Sequence, residues 1–110
     1  MQQVWHGPIA SGAVAAGGVT LYRVWGGASA QQGAWLTPTV PAASSVARSM
    51  LALPSGNNAE FVSAVRVPEG TWIQIGIVAP AFGQPGGGAQ IQLLERIPLN
   101  RFGPGVRLPP

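Results

Sequence analysis

Apolar and polar residues alternate along much of this chain with the two-residue period of β-strands. The clearest case is TWIQIGIV at 71–78, where Trp72 and Gln74 share one face and Ile73 and Ile75 the other. Alternation of this kind, or enrichment in β-branched and aromatic residues, predicts five strands. They fall at 19–25, 34–38, 61–67, 71–78 and 89–94.

One segment, VPAASSVARSMLAL at 40–53, has helical spacing instead. Val46, Met50 and Leu53 have the i, i+4, i+7 spacing of the apolar face of a short amphipathic helix. Ser44 or Ser45 is the expected N-cap. Together, these elements predict an α+β, predominantly β fold, with about five to seven short strands and one or two short helices.

Residues 1–18 are small, Gly-rich and aperiodic, which predicts a linker or a lead-in to a domain at 19–110. They have no basic N-terminal region and contain Pro8, so they do not resemble a signal peptide. No apolar run approaches the roughly 18 residues that a membrane helix needs, so we expect no membrane span.

The composition limits the kinds of catalytic and metal-binding site that the chain can form. The 110 residues suit a single domain, and only 8% of them are charged. Cysteine is absent, His6 is the only histidine, and the carboxylates are Glu60, Glu69 and Glu95. Disulfides, transition-metal clusters, a serine triad and paired-carboxylate chemistry therefore lack the residues they need.

The cations are all arginine, and the formal net charge is +3. This charge is too small and too dispersed for a nucleic-acid footprint, so we expect no nucleic-acid partner. An acidic small ligand or an acidic protein partner fits it better.

Among candidate binding elements, FGQPGGGAQIQ at 82–92 is the most unusual. Gly86, Gly87 and Gly88 allow positive φ and a close backbone approach, and their N–H groups could form an anion-binding nest. The alternative is an ordinary flexible loop.

The same stretch carries paired amides. Gln90 and Gln92 project from one strand face, while Ile91 points the other way into the core. Uncharged amides suit a ribose hydroxyl or a carboxamide but make poor general bases. The alternative is a solvated strand face.

Three further side chains have two interpretations each. Arg23, inside the apolar strand VTLYRVW, either grips an anion or lies on an exposed edge. Trp35 is either a core aromatic or a stacking platform for a ring. Arg48 is either a solvated helix residue or a second cation for a ligand.

Read together, these segments resemble the tuberculosis-necrotizing-toxin (TNT) family of NAD(P) glycohydrolases, which have a compact fold related to ADP-ribosyltransferases. FGQPGGGAQIQLL is the most specific match, and weaker ones occur in the family's order. The matching segments are YRVWGG at 22–27, GAWLTP at 33–38, LALP at 51–54, VPEGTWIQIGIVAP at 67–80 and FGQPGGGAQIQLL at 82–94.

The resemblance implies roles for individual residues. It makes Gln90 the catalytic glutamine and Arg23 the phosphate-binding arginine, with Trp35 lining the site. It implies substrate contacts for Phe82, which would stack on a ring, and for Gln92. It also places the backbone of the three glycines beside the substrate.

The chain departs from the family at three places. Leu51 occupies the position of the second arginine, and Arg48 lies one helical turn earlier, on the same face. Tyr22 stands where the family has an aspartate, and residues 57–60 (NNAE) replace a stretch that carries a histidine in some members.

The implied function is hydrolysis of NAD or NADP, as substrate rather than cofactor, by a toxin domain. Such a domain is expected to be secreted or delivered into a target cell, as the C-terminal part of a larger toxin, and to be countered by an acidic immunity protein. The alternatives are an ADP-ribosyl cyclase, an ADP-ribosyltransferase, or a non-catalytic β-rich binding module of a larger secreted protein.

Overall fold

The computed structural model describes residues 5–110, which form a β-rich fold with one α-helix. The elements in chain order are β1 (Trp5–Ala13), β2 (Val19–Trp25), β3 (Trp35–Leu36), α1 (Ser44–Met50), β4 (Phe61–Val67), β5 (Trp72–Val78), β6 (Ala89–Leu93), a 3-10 helix (Leu99–Arg101) and β7 (Val106–Arg107).

The strands form two antiparallel sheets. The first has the order β1-β5-β6-β3 and the second the order β2-β4-β7. An isolated bridge between Tyr22 and Thr37 connects β2 to the chain after β3 and so links the two sheets. The prediction of an α+β, predominantly β fold is confirmed.

Two apolar clusters hold the sheets together. One lies between the sheets and includes Leu36, Val65 and Ile91. The other lies under α1 and includes Val24 and Val78 among its members. Burial of these aliphatic side chains stabilises the fold by roughly 1.5–3 kcal/mol for each one fully removed from water.

The segment predicted to be a linker contains a strand. β1 pairs along β5, with a register shift between His6 and Ala10. The exposed residues of β1 are nearly all small or polar. The sequence of β1 therefore lacks the alternation of apolar and polar residues by which a strand is recognised. The expectation of a linker is therefore wrong for residues 5–13. Residues 1–4 lie outside the described residues, and the domain division at 18 stays a prediction.

The predicted apolar face of the helix is wrong for Val46 and Met50, whereas Leu53, which follows the helix, packs against the cluster under α1. Val46 and Met50 are 42% and 43% exposed, and α1 buries Ala47 and Ser44 instead. The helix has seven residues, and its buried positions carry these two small side chains. The N-cap is Ala43 rather than either serine.

Candidate functional site

A cavity of about 340 Å³ opens where β2, the end of α1, the end of β5 and the start of β6 converge. Its wall includes four of the residues singled out from sequence, namely Arg23, Trp35, Phe82 and Gln90. These residues come from segments nearly 70 positions apart, and the two sheets bring them together. Most of the remaining wall is apolar.

Arg23 is the cation of this cavity. It is only 8% exposed, although it belongs to a strand that begins at the protein surface. Burial lowers the pKa of Arg23 from its usual value, because the charged form loses hydration. A buried cation of this kind is costly unless an anion compensates it.

Neutral oxygens surround its guanidinium. Nε and Nη2 donate to Ala30 O at 3.3 and 2.9 Å, Nη2 also donates to Ser29 Oγ at 3.0 Å, and Nη1 donates to Trp35 O at 3.2 Å. A guanidinium has five N–H groups, so one N–H of Nη1 remains. Within residues 5–110 the sole ion pair joins Arg107 to Glu60, so Arg23 has no carboxylate partner there.

Gln90 contributes a free amide to the same cavity. It lies on β6 opposite Gly76 and is 7% exposed. Its side chain makes no hydrogen bond to the described part of the chain, yet no side-chain polar atom there is both sealed from solvent and unpaired. The Gln90 amide therefore keeps its hydrogen-bonding groups open to the cavity.

The neighbours of Gln90 separate as the strand alternation predicted. Ile91 is buried in the cluster between the sheets. Gln92 pairs in register with Gln74 and Trp35, is half-buried, and does not line the cavity. Its role in substrate binding stays a prediction.

Two aromatic residues border the cavity in different ways. Trp35 is half-buried and is packed against Trp5, with ring centroids 5.6 Å apart. Phe82 is 58% exposed and occupies a two-residue turn closed by hydrogen bonds between Ala81 and Gln84. Its φ of 51° is unfavourable for a bulky side chain, so the turn holds the ring at the rim at an energetic cost.

The triple glycine does not form the anion-binding nest that the sequence suggested. Gly86 N donates to Ser49 O, Gly87 N to Val78 O and Gly88 N to Met50 O, each at 2.9 Å. All three N–H groups are therefore occupied by backbone carbonyls. The loop binds the C-terminal carbonyls of α1, which a helix leaves without intrahelical partners.

Arg48 lies in a separate recess beside the cavity. The recess measures about 560 Å³ and shares Phe82 and Asn57 with the cavity wall. Nη1 of Arg48 donates to Ser44 Oγ at 2.8 Å and to Asn58 O at 3.1 Å, which orients the side chain on the last turn of α1. The structure thus places Arg48 in a recess that adjoins the cavity of Arg23, but not in that cavity.

Sequence reasoning assigned no binding role to Ser29 or Asn57, both of which line the cavity. Asn57 is buried, donates from Nδ2 to Val24 O at 3.1 Å and accepts from Ala59 N at 2.9 Å. Both residues lie in turns, where serine and asparagine are common for local reasons. Nothing in the local pattern distinguished them.

The described residues contain no group of three or more His, Cys, Asp or Glu side chains that could hold a metal ion. No helix between residues 5 and 110 is long and apolar enough to cross a membrane.

Comparison with known proteins gives a structural match without a sequence match. No family model and no curated protein sequence matches the chain. A solved structure, described as "Structure of Tne2 in complex with Tni2", superposes with a TM-score of 0.73. The match covers 93% of each chain at 19% identity, which shows a shared fold.

Proposed function

We propose that this protein is an NAD(P)+ glycohydrolase of a toxin, cleaving the bond between nicotinamide and ribose. The observation that carries the proposal is the presence, in one cavity, of a buried cation (Arg23) and an amide (Gln90), which within residues 5–110 have no carboxylate partner and no hydrogen-bond partner respectively. The likeness of FGQPGGGAQIQ to the TNT signature and the fold shared with Tne2 support it.

The reaction suits a site without acids and bases. The bond between ribose C1 and the nicotinamide nitrogen breaks, its electron pair stays on the nitrogen, and nicotinamide leaves as a neutral molecule. Water adds to C1 and releases its proton to solvent. Because the leaving group needs no proton, catalysis can come from positioning and electrostatics.

Each cavity residue then has a task. Arg23 holds the pyrophosphate, whose negative charge compensates the buried guanidinium and accepts from its remaining N–H. Gln90 binds the hydroxyls of the nicotinamide ribose or orients the incoming water. Trp35 and Phe82 contact the flat rings, and the apolar wall keeps bulk water away from the reacting carbon.

Arg48 is the candidate for a second phosphate contact. Its recess adjoins the cavity at Phe82, so a dinucleotide lying across that rim would meet both arginines. This contact remains compatible with NAD and with NADP.

A dedicated protein inhibitor fits the proposal. Tne2 is in complex with Tni2 in its solved structure. For the present chain we expect an acidic immunity protein that covers the cavity mouth, since opposite charge speeds and orients association. An inhibitor that binds elsewhere and leaves NAD access open would contradict this expectation. Secretion or delivery, as part of a larger toxin, belongs to the same proposal.

The test is nicotinamide release from NAD and from NADP by the purified protein. Product analysis separates ADP-ribose, cyclic ADP-ribose and modified protein. Related transferases usually carry a glutamate at the end of this strand, and Gln90 or Gln92 at that place favours hydrolysis or cyclisation over transfer. Absence of nicotinamide release at high protein concentration would instead support a non-catalytic binding module.

A further inference from the structure

The loop between β2 and β3 wraps around the guanidinium of Arg23. Ser29, Ala30 and Trp35 supply its acceptors, and Gly33 lies against the guanidinium itself. A Cβ atom built on Gly33 would lie 2.5 Å from both Cζ and Nη2 of Arg23 and 2.8 Å from Nε. Real Cβ contacts essentially never fall below 3.0 Å.

We propose that Gly33 is a positioning residue for anion binding by Arg23. Because Gly33 has no side chain, the loop can close on the guanidinium and hold it by four hydrogen bonds. These bonds fix the direction of the one remaining Nη1–H. The inference rests on the proposed function only in identifying the anion as the pyrophosphate of NAD(P).

A methyl group at this position should displace the guanidinium rather than unfold the protein. The backbone at Gly33 is outside the positive-φ region, so alanine is compatible with its conformation. The colliding atoms belong to the far end of a flexible side chain, so the guanidinium can move away and give up its hydrogen bonds while the backbone stays in place. The expected product is a folded protein whose Arg23 has lost its fixed direction.

The experiment compares Gly33→Ala with the matched control Gly12→Ala, whose added Cβ meets no atom within 4 Å. Binding of inorganic pyrophosphate is measured by calorimetry. We expect Gly33→Ala to weaken it about tenfold or more, the scale of a lost charge-assisted hydrogen bond. Gly12→Ala should bind like the parent.

A ligand-free readout comes from NMR. The Nε–H of Arg23, buried and bonded to Ala30 O, should be protected from exchange in the parent and in Gly12→Ala. It should lose that protection in Gly33→Ala. If Gly33 had only a structural role, Gly33→Ala would not selectively remove the exchange protection of the Arg23 Nε–H.

A double-mutant cycle isolates the coupling. In an Arg23→Ala background the clash is gone, so adding Gly33→Ala should cause no further loss of pyrophosphate binding and should lower thermal stability no more than Gly12→Ala does. If Gly33→Ala alone fails to fold, the double variant should still fold, which would support the proposal. A double variant that also fails to fold would overturn it.

The proposal is likewise overturned if the parent does not bind pyrophosphate, or if Gly33→Ala binds it as tightly as the parent. Failure of the proposed function is distinguishable: the chain would release no nicotinamide from NAD, while pyrophosphate binding would still depend on Gly33 through Arg23. With activity present, Gly33→Ala should raise KM with little change in kcat.

Discussion

Replacing Gln90 by alanine separates catalysis from folding. The Gln90 side chain makes no hydrogen bond to the described residues, so its removal leaves no protein donor or acceptor unpaired. The free energy of unfolding should then change by only about 1 kcal/mol, the middle of the range for point variants. Turnover should fall by about 10²-fold or more, the scale for one preorganised polar contact in a transition state.

The assay is nicotinamide release at saturating NAD, with thermal unfolding measured on the same samples. Gln92→Ala is the matched control, because it removes the same side chain two positions along the strand but outside the cavity wall. It should cost much less activity than Gln90→Ala. The comparison holds residue type, strand and size of truncation constant.

The reasoning fails if Gln90→Ala turns over NAD like the parent, or if both glutamine variants lose activity equally. The first result would remove the amide from the mechanism. The second would mean that truncation anywhere on β6 disturbs the site. A large loss of stability in Gln90→Ala would show that the amide has a structural partner.

Three further predictions concern other parts of the molecule. Arg23→Ala should weaken substrate binding by about 1.5–3 kcal/mol, seen as a raised KM in steady-state kinetics; unchanged binding in a folded variant would remove its phosphate role. Ile91→Ala should destabilise the fold by about 2–5 kcal/mol through a core cavity, measured by denaturant unfolding; a loss well below 2 kcal/mol would contradict that packing. Gly86→Ala should lower thermal stability more than Gly83→Ala. Both have positive φ, but only at Gly86 would a Cβ meet carbonyl oxygens, at 2.6 and 2.8 Å, so equal losses would refute the clash.

The sequence predicted best where strands are rich in β-branched and aromatic residues or alternate between apolar and polar positions. β2 and β4 begin and end where the pattern placed them. Arg23 and Gln90 were recognisable because each is a polar side chain in an apolar strand, which burial makes costly unless something binds it. Each strand by itself shows only one of these side chains, and the fold brings both to one cavity.

What the sequence could not predict depends on contacts between distant segments. The exposed Val46 and Met50 fit a helical spacing, but the side of a seven-residue helix that packs inward is decided by the surface beneath it. β1 has no alternation of apolar and polar residues, and it forms a strand because its backbone pairs with β5. The place of Arg48 in a neighbouring recess likewise follows from how α1 is docked.

The bonds from the triple glycine to the end of α1 change how the FGQPGGG motif should be used to recognise relatives. Gly86 and Gly88 bind the connection before β6 to the helix through backbone bonds that need no substrate. Under the proposed function, a chain with these glycines but without counterparts of Arg23 and Gln90 would keep the bonds to the helix and lack the contacts to phosphate and ribose. The glycines are therefore evidence for this architecture, whereas the proposed activity depends on the arginine and the glutamine.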